Sequence, residues 1–327
     1  MRRLRVGCVG TGFIAGRHLH ALAGFDDVEV VAVADTLPER AQQTADRYGA
    51  RAHDDGLALL ETEDLDAVWL CVPPFAHGAL EATAVDRGIP FFVEKPLATD
   101  LATATTVAVR VAATGLPTAA GYHWRHLGLV QRAALLLADR PAVLVTGYWL
   151  DKTPPVAWWP HRDRSGSQVI EQTTHIFDLA RHLVGDVATV AAVERPAPEG
   201  HGDVPAAATA LLRFAGGAVG SISSARVLAW RHRVALHLVA DGLVVEIAER
   251  SLTDHELRVI TADGEDVVRS DEDPILAEDR EFLDVVLGRV PQARVPYEEA
   301  LRTHALACAA ERAAQDGIAV TLTEERG

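Results

Sequence analysis

Short, continuous apolar runs alternate with segments of helical periodicity over about the first 120 residues. The apolar runs, rich in Val, Ile and Leu, lie at 4–10, 28–35, 65–72, 89–95 and 116–122. The helical segments lie between them, at 15–24, 37–48, 76–87 and 100–113. Continuous apolar strands separated by helices are typical of a parallel sheet covered by helices on both faces. The pattern predicts an α/β domain at the N-terminus.

The pattern changes after about residue 122. Residues 206–270 divide into strand-length runs separated by turn dipeptides such as GG and DG, which predicts antiparallel strands joined by hairpins. Outside this region, the periodicity predicts one strand at 143–150 and helices at 126–138, 167–184, 276–288 and 298–315. We therefore expect two domains, residues 1–122 and 123–327.

Composition narrows the class of protein. The chain has 327 residues, 49% of them hydrophobic and 24% charged, so it can bury a sizeable core. A formal net charge of −15 disfavours nucleic acid and anionic membranes as partners. The wide spacing of the three cysteines, Cys8, Cys71 and Cys308, supports neither a disulfide framework nor a zinc cluster. No apolar run is long enough to span a bilayer, and the glycine-broken run after Arg5 resembles a first strand, so we expect a cytoplasmic protein.

A dinucleotide-binding motif follows the first predicted strand. The sequence GTGFIAG contains G-x-G-x-x-A, in which Gly10 permits a tight turn and Gly12 lets the backbone approach a pyrophosphate. Ala15 is small enough for close packing of helix on strand. Asp35 ends the second strand, about 20 residues on, where an acid binds the ribose 2′-hydroxyl. Arg40 is the nearby residue able to bind a 2′-phosphate instead. We expect NAD rather than NADP.

A row of polar residues lies along the predicted helix EQTTHIFDLARHL. Glu171, His175 and Asp178 are spaced by four and three residues and therefore share one face. The row has three interpretations: a solvated helix face, a pair of metal ligands, or a proton-transfer site. The third is open because histidine titrates near neutral pH and a carboxylate can orient it.

The order of motifs resembles the Gfo/Idh/MocA family, which includes glucose–fructose oxidoreductase and inositol dehydrogenases. The motifs are GTGFIA, Asp35, CVPPFAHG at 71–78, EKP at 94–96 and EQTTHIFD, so the resemblance covers the whole chain. It implies a Rossmann N-terminal domain and a C-terminal α/β domain with a large open, mainly antiparallel sheet. The implied enzyme transfers a hydride between nicotinamide and a secondary alcohol or ketone of a sugar, cyclitol or related polyol.

The resemblance also assigns roles to residues. Lys95 matches the lysine that touches nicotinamide and substrate, and would stabilise alkoxide charge. His175 matches the helix histidine and is the candidate base. Glu171, where most members have Asp, would hold a substrate hydroxyl or orient His175. The implied cofactor-binding residues are Gly10, Gly12, Phe13, Ile14, Asp35, Pro73, His77, Glu94 and Lys95.

The expected substrate contacts are His123, Arg125, Trp158, Trp159 and Asp178. In GYHWR, His123 replaces the usual Asn while Arg125 is kept. Trp158 and Trp159 could stack on a sugar ring or fill a domain or subunit contact. Asp178 either faces the site or pairs with Arg181. No cysteine or carboxylate cluster accompanies the His123/His126 pair in the sequence, so we expect no metal.

Two other functions remain open from the sequence. An enzyme of the same fold can retain its NAD and use transient oxidation to hydrolyse or eliminate a glycoside. A non-catalytic sensor can bind dinucleotide and a protein partner, although the presence of Lys95 and His175 argues against it. We also expect a homodimer or homotetramer, because one face of the antiparallel sheet has to be covered.

Overall fold

The computed structural model describes residues 2–322, which divide into two compact units. The first unit contains the chain up to His123 together with Ile275–Leu301. The second contains Trp124–Pro274 and the chain from Arg302 onward. Each unit has its own sheet and hydrophobic core.

The first unit contains a six-stranded sheet in which all neighbouring strands are parallel. The strands are β1 Leu4–Val9, β2 Val28–Ala34, β3 Arg51–His53, β4 Ala67–Leu70, β5 Phe91–Val93 and β6 Thr118–Ala120. Their order is β3-β2-β1-β4-β5-β6, so it reverses between β1 and β4. Open parallel sheets bind ligands outside the carboxyl ends of their strands at such a reversal.

Five helices connect these strands and cover the sheet. They are α1 Phe13–Ala23, α2 Pro38–Tyr48, α3 Gly56–Thr62, α4 Ala79–Asp86 and α5 Leu101–Thr114. The start of α5 shows how the sequence sets a boundary: the Asp100 carboxylate accepts a hydrogen bond from the Thr103 backbone N–H at 2.9 Å. The sequence pattern located four of these helices but not α3, and it also missed the short strand β3.

The second unit contains a nine-stranded sheet in the order β14-β13-β12-β11-β7-β10-β9-β8-β15. Its strands are β7 Leu144–Leu150, β8 Val187–Arg195, β9 Ala207–Phe214, β10 Val219–Ala225, β11 Arg233–Ala240, β12 Leu243–Ser251, β13 Asp254–Thr261, β14 Gly264–Ser270 and β15 Val320–Thr321. Only β7 and β10 pair in parallel. The expected mainly antiparallel sheet is confirmed, although β8 and β15 were not predicted.

The remaining helices are α6 Gly128–Ala138, α7 Arg162–Ser165, α8 Thr174–Val184, α9 Pro274–Val286 and α10 Tyr297–Asp316. A five-residue π turn, Val169–Thr173, leads directly into α8. The predicted helix 167–184 is therefore real, but its first part is wound more widely than an α-helix. Such π segments are frequent at functional sites.

Helix α9 completes the core of the first unit. The Phe282 ring lies 5.3 Å from the Trp69 ring and 6.0 Å from the Phe92 ring, and all three residues are fully buried. This helix follows the strand-rich region in sequence, so local periodicity could not assign it to the Rossmann unit. None of the helices described within residues 2–322 has the length and apolarity of a membrane span.

The nine-stranded sheet buries one face and exposes the other. Val145, Leu212 and Ile222 lie in the core, whereas residues offset from them by one position point to the opposite side. That opposite side, which we call the open face, carries exposed apolar residues: Leu144, Val193, Leu211 and Val219.

Candidate active site

The turn after β1 requires glycine at position 10. Gly10 has a φ of +86°, and a Cβ atom there would lie 2.2 Å from the carbonyl oxygen of Cys71. Its backbone N–H donates to the Ala34 carbonyl at 2.8 Å, which joins the turn to the end of β2. Any larger residue would therefore strain the backbone and displace the neighbouring strand end.

Gly12 precedes α1 for a different reason. A Cβ atom at Gly12 would meet no described atom within 4 Å, so packing within the chain does not impose glycine here. The open approach fits a backbone reached by a pyrophosphate at a helix N-terminus. Phe13 begins α1 and is exposed, Ile14 is half-buried, and Ala15 is fully buried against the sheet. The geometry of this turn is compatible with the expected dinucleotide site, which stays a prediction for the individual residues.

Asp35 is a buried carboxylate that accepts hydrogen bonds from several neighbouring groups. It accepts hydrogen bonds from the Thr11 backbone N–H at 3.0 Å, the Thr11 hydroxyl at 2.8 Å and the Leu37 N–H at 3.0 Å. Burial alone would raise the pKa of Asp35, but the Arg40 guanidinium and these other donors lower it below its usual value. The side chain is thus held ionised beside the glycine turn.

Arg40 makes a two-pronged contact with Asp35. Its Nε and one terminal nitrogen donate to the two carboxylate oxygens at 2.8 and 2.7 Å. The sequence left Arg40 as a possible ligand for a 2′-phosphate. In the structure its charge is directed at Asp35, and a 2′-phosphate at this place would also meet that carboxylate.

The segment after β4 orients a histidine. Pro73 precedes a 3₁₀ turn, Pro74–Ala76, and His77 follows it with its side chain buried. The His77 Nδ1 lies 2.5 Å from a Glu81 carboxylate oxygen, and the other Glu81 oxygen accepts from the Gly78 N–H. The Nε2 of His77 is buried with no hydrogen-bond partner among residues 2–322. An oriented ring with an unused nitrogen fits the role of cofactor contact.

The end of β5 carries Glu94 and Lys95. The Lys95–Pro96 peptide bond is cis, and Lys95 is half-buried. One Glu94 oxygen accepts from the Lys95 backbone N–H at 3.0 Å, and the other lies 3.0 Å from Nε2 of His18 on α1. Burial would raise the pKa of Glu94, but His18, Lys95 and His123 together lower it. Sequence reasoning missed His18, although it lies three residues after the glycine motif.

In the second unit, the three polar residues of the EQTTHIFD segment have separate surroundings. Glu171 lies in the π turn, and its carboxylate accepts from the Trp159 indole N–H at 2.7 Å. His175 is buried at the start of α8, where its ring stacks on the indole of Trp149 with 5.6 Å between centroids and 16° between planes. The interpretation of this row as a solvated helix face is wrong, because His175 and Asp178 are both buried.

Asp178 forms a buried ion pair with Arg125. The guanidinium donates to both carboxylate oxygens at 2.8 and 2.6 Å, and the Thr303 hydroxyl donates to one of them at 2.8 Å. Arg181, the partner offered by sequence spacing, donates to Asp186 instead. These contacts connect α8 to the segment before α6 and to α10. Asp178 and Arg125 therefore have a structural role, whether or not they contact substrate.

The remaining candidates for substrate contacts differ in exposure. Trp159 is fully buried, with the Arg226 guanidinium 5.6 Å above its ring, whereas Trp158 is half-buried. His123 is buried in a short 3₁₀ helix, His123–His126. The indole of Trp159 directly holds the carboxylate of Glu171, which is a candidate site residue.

A Rossmann unit with a glycine turn and an ionised Asp35, followed by a second α/β unit, defines the class of dinucleotide-dependent oxidoreductases. Comparison with protein families identifies the family of this chain. Residues 4–122 match the model described as "Oxidoreductase family, NAD-binding Rossmann fold", and residues 142–243 match the "GFO/IDH/MocA C-terminal domain". The chain belongs to the Gfo/Idh/MocA family.

Sugar and cyclitol dehydrogenases are among the relatives of this chain. D-apiose dehydrogenase of Paraburkholderia graminis is 29% identical over 199 residues, which cover 59% of this chain and 52% of that protein. The match thus spans about half of that relative's length. The scyllo-inositol 2-dehydrogenase (NAD(+)) of Bacillus subtilis is 26% identical over 274 residues, covering 80% of this chain and 78% of that protein. A levoglucosan dehydrogenase solved with NADH superposes with a TM-score of 0.88 at 19% identity, covering 98% and 100% of the two chains.

These findings confirm the family, the fold class and the NAD-binding Rossmann domain that the sequence predicted. The roles of individual residues remain predictions.

Replacing Gly10 with Ala should destabilise the protein before any ligand is added. The positive φ alone costs about 1–3 kcal/mol for a non-glycine residue, and the clash with Cys71 adds to it. Thermal unfolding without cofactor measures the effect. Gly16→Ala is the matched control, because a Cβ there meets nothing within 4 Å. Equal melting temperatures for the two variants would contradict this account of the turn.

Proposed function

We propose that this protein is an NAD-dependent dehydrogenase that transfers a hydride between nicotinamide and a secondary alcohol or ketone. The substrate class that we propose is a sugar, cyclitol or related polyol, as the names of the relatives suggest. The observation that carries the proposal is the set of motif residues on the cofactor side: the Gly10 turn, the ionised Asp35 and the braced Glu94–Lys95 segment.

When bound, NAD supplies the acceptor for the hydride. The chain's own residues supply the proton chemistry and the electrostatics. His175 removes the hydroxyl proton as a general base, and its stack on Trp149 fixes the plane of the imidazole. The Lys95 ammonium stabilises the negative charge that develops on the substrate oxygen. Glu171, held by the Trp159 indole, binds a substrate hydroxyl.

Cofactor choice follows from the Asp35 pair. An ionised carboxylate accepts hydrogen bonds from the two ribose hydroxyls of NAD and repels the 2′-phosphate of NADP. The bidentate contact from Arg40 keeps this carboxylate in place and occupies the neighbouring guanidinium. We therefore propose a preference for NAD, with NADP as the weaker cofactor.

Location and assembly complete the proposal. We propose that the protein acts in the cytoplasm, where NAD is available to it. We also propose that it forms a homodimer or homotetramer, with the open face of the nine-stranded sheet covered by another copy of the chain. Exposed apolar residues on that face support this arrangement: Leu144, Val193, Leu211 and Val219.

A panel of sugars and cyclitols, assayed for NADH absorbance with NAD and with NADP, tests the reaction. We expect net NADH formation with at least one polyol and a lower rate with NADP. Lys95→Met should lower kcat by about 10²–10³-fold, and His175→Gln by about 10²–10⁴-fold.

Matched controls exist for both substitutions. Lys152, the other lysine of the sequence, and His182, also on α8, are exposed, so Lys152→Met and His182→Gln should leave kcat unchanged. Turnover of a glycoside with no net change in cofactor would favour the NAD-retaining hydrolase or eliminase instead. Binding of dinucleotide with no turnover, together with full biological activity of Lys95→Met, would favour the sensor.

Light scattering tests the assembly. We expect the mass of a dimer or tetramer, and a shift of Leu211→Glu toward the monomer, because a buried carboxylate in an apolar contact is unfavourable. Ile318→Glu, which changes an exposed residue outside the open face, is the control. A monomeric wild-type protein would refute this part of the proposal.

A further inference from the structure

The first unit contains a buried charge cluster of which the motifs include only Glu94. His18, on α1, is fully buried and has a carboxylate at each ring nitrogen. Its Nδ1 lies 2.7 Å from an Asp279 oxygen, and its Nε2 lies 3.0 Å from a Glu94 oxygen. The same Asp279 oxygen accepts from the Trp69 indole N–H at 2.8 Å. The cluster therefore links α1, the end of β5 and α9.

Hydrogen-bond chemistry fixes the proton count of this cluster. An ionised carboxylate only accepts hydrogen bonds, and a neutral imidazole has one N–H. Two arrangements satisfy both contacts of His18: an imidazolium between two ionised carboxylates, or a neutral ring with the second proton on Asp279, whose pKa is raised by burial. The Asp279 oxygen that faces the ring already accepts the Trp69 N–H, which favours the ionised acid and the imidazolium. Burial acts to lower the pKa of His18, but Asp279 and Glu94 outweigh it and raise the pKa well above its usual value. One ligand atom of Glu278 also lies within 4.8 Å of one such atom on each of His18 and Glu94.

A metal ion is a weaker explanation of the same residues. His18, Glu94 and Glu278 have ligand atoms close enough together to hold a cation. However, metal–nitrogen bonds require a ring nitrogen directed at the ion at about 2.0–2.1 Å. Here both ring nitrogens face carboxylate oxygens at hydrogen-bond distances. A proton therefore accounts for the geometry without an ion.

Glu94 transmits this arrangement to Lys95. One of its oxygens faces His18, and the other accepts the backbone N–H of Lys95 at 3.0 Å. The carboxylate is also packed closely against Gly121, where a Cβ atom would lie 2.7 Å from the oxygen that faces His18. The carboxylate thus has little room to move, and the backbone that carries the lysine is bonded to it.

We propose that His18 is a positioning residue for Lys95: its imidazolium holds the Glu94 carboxylate, which fixes the backbone from which the lysine side chain extends. His18 does not itself contact the reacting atoms in this scheme. The inference rests on the role of Lys95 in the proposed function. It assigns to a buried histidine of α1 an effect on the chemical step.

His18→Gln tests the proposal, because the amide replaces the hydrogen bonds in part but carries no charge. We expect kcat to fall about 10–100-fold, as for a small misplacement of a catalytic group, while the Kd for NAD changes less than about threefold. His20→Gln, on the exposed side of the same helix, is the control and should match the wild type. Unchanged kcat in His18→Gln would overturn the proposal.

A double-mutant cycle separates positioning from general destabilisation. If His18 acts through Lys95, His18→Gln should reduce kcat little further once Lys95→Met is present. Fully multiplicative losses would overturn the inference and indicate an independent structural effect. Full activity of Lys95→Met would instead show that the proposed role of Lys95 is wrong, so the two failures are distinguishable.

The charge of His18 can be measured directly, even if a variant folds poorly. In ¹⁵N-labelled wild-type protein at pH 8, NMR should detect two N–H protons on one histidine ring. That signal should be lost in His18→Gln and kept in His20→Gln. A neutral His18 with one N–H, or a stoichiometric metal ion in the purified protein, would contradict the proposed imidazolium.

Discussion

A carboxylate buried at the end of a parallel strand needs compensating charge, and this requirement organises the cofactor-binding unit. Glu94 is stabilised by the His18 imidazole, which is paired in turn with Asp279. The same carboxylate accepts the Lys95 N–H, so α1, β5 and α9 meet through one set of hydrogen bonds. Because α1 begins at the glycine turn and β5 ends at the lysine, the cluster connects the residues that would hold the dinucleotide with those that would act on substrate.

In the second unit, two acidic residues of the EQTTHIFD segment also have hydrogen-bond partners. Asp178 has Arg125 and Thr303, and Glu171 has the Trp159 indole. The imidazole of His175 is stacked on Trp149. Of the three residues along the helix, it is the one whose ordinary pKa lies near neutrality. The π turn before α8 gives Glu171 its own surroundings, so one sequence pattern supplies three different environments.

The sequence predicted those elements and motifs that depend on residues close together in the chain. Apolar periodicity located five of the six parallel strands, and the glycine motif with Asp35 identified the nucleotide-binding turn. Local pattern could not show that α9 packs Phe282 against Trp69. It also could not show that Asp178 pairs with Arg125, 53 residues away, rather than with Arg181 on the same helix. The His18 cluster was missed for the same reason, because its partners Glu94 and Asp279 lie 76 and 261 residues away in sequence.

The central proposal is that Lys95 acts on the reacting oxygen of the substrate beside the nicotinamide ring. A crystal structure of the protein with NAD and a polyol identified by the activity panel tests it most directly. We predict that the Lys95 ammonium lies within about 3 Å of one substrate hydroxyl, whose carbon faces the nicotinamide. A bound polyol whose hydroxyls do not contact Lys95, or a nicotinamide bound away from it, would contradict the account.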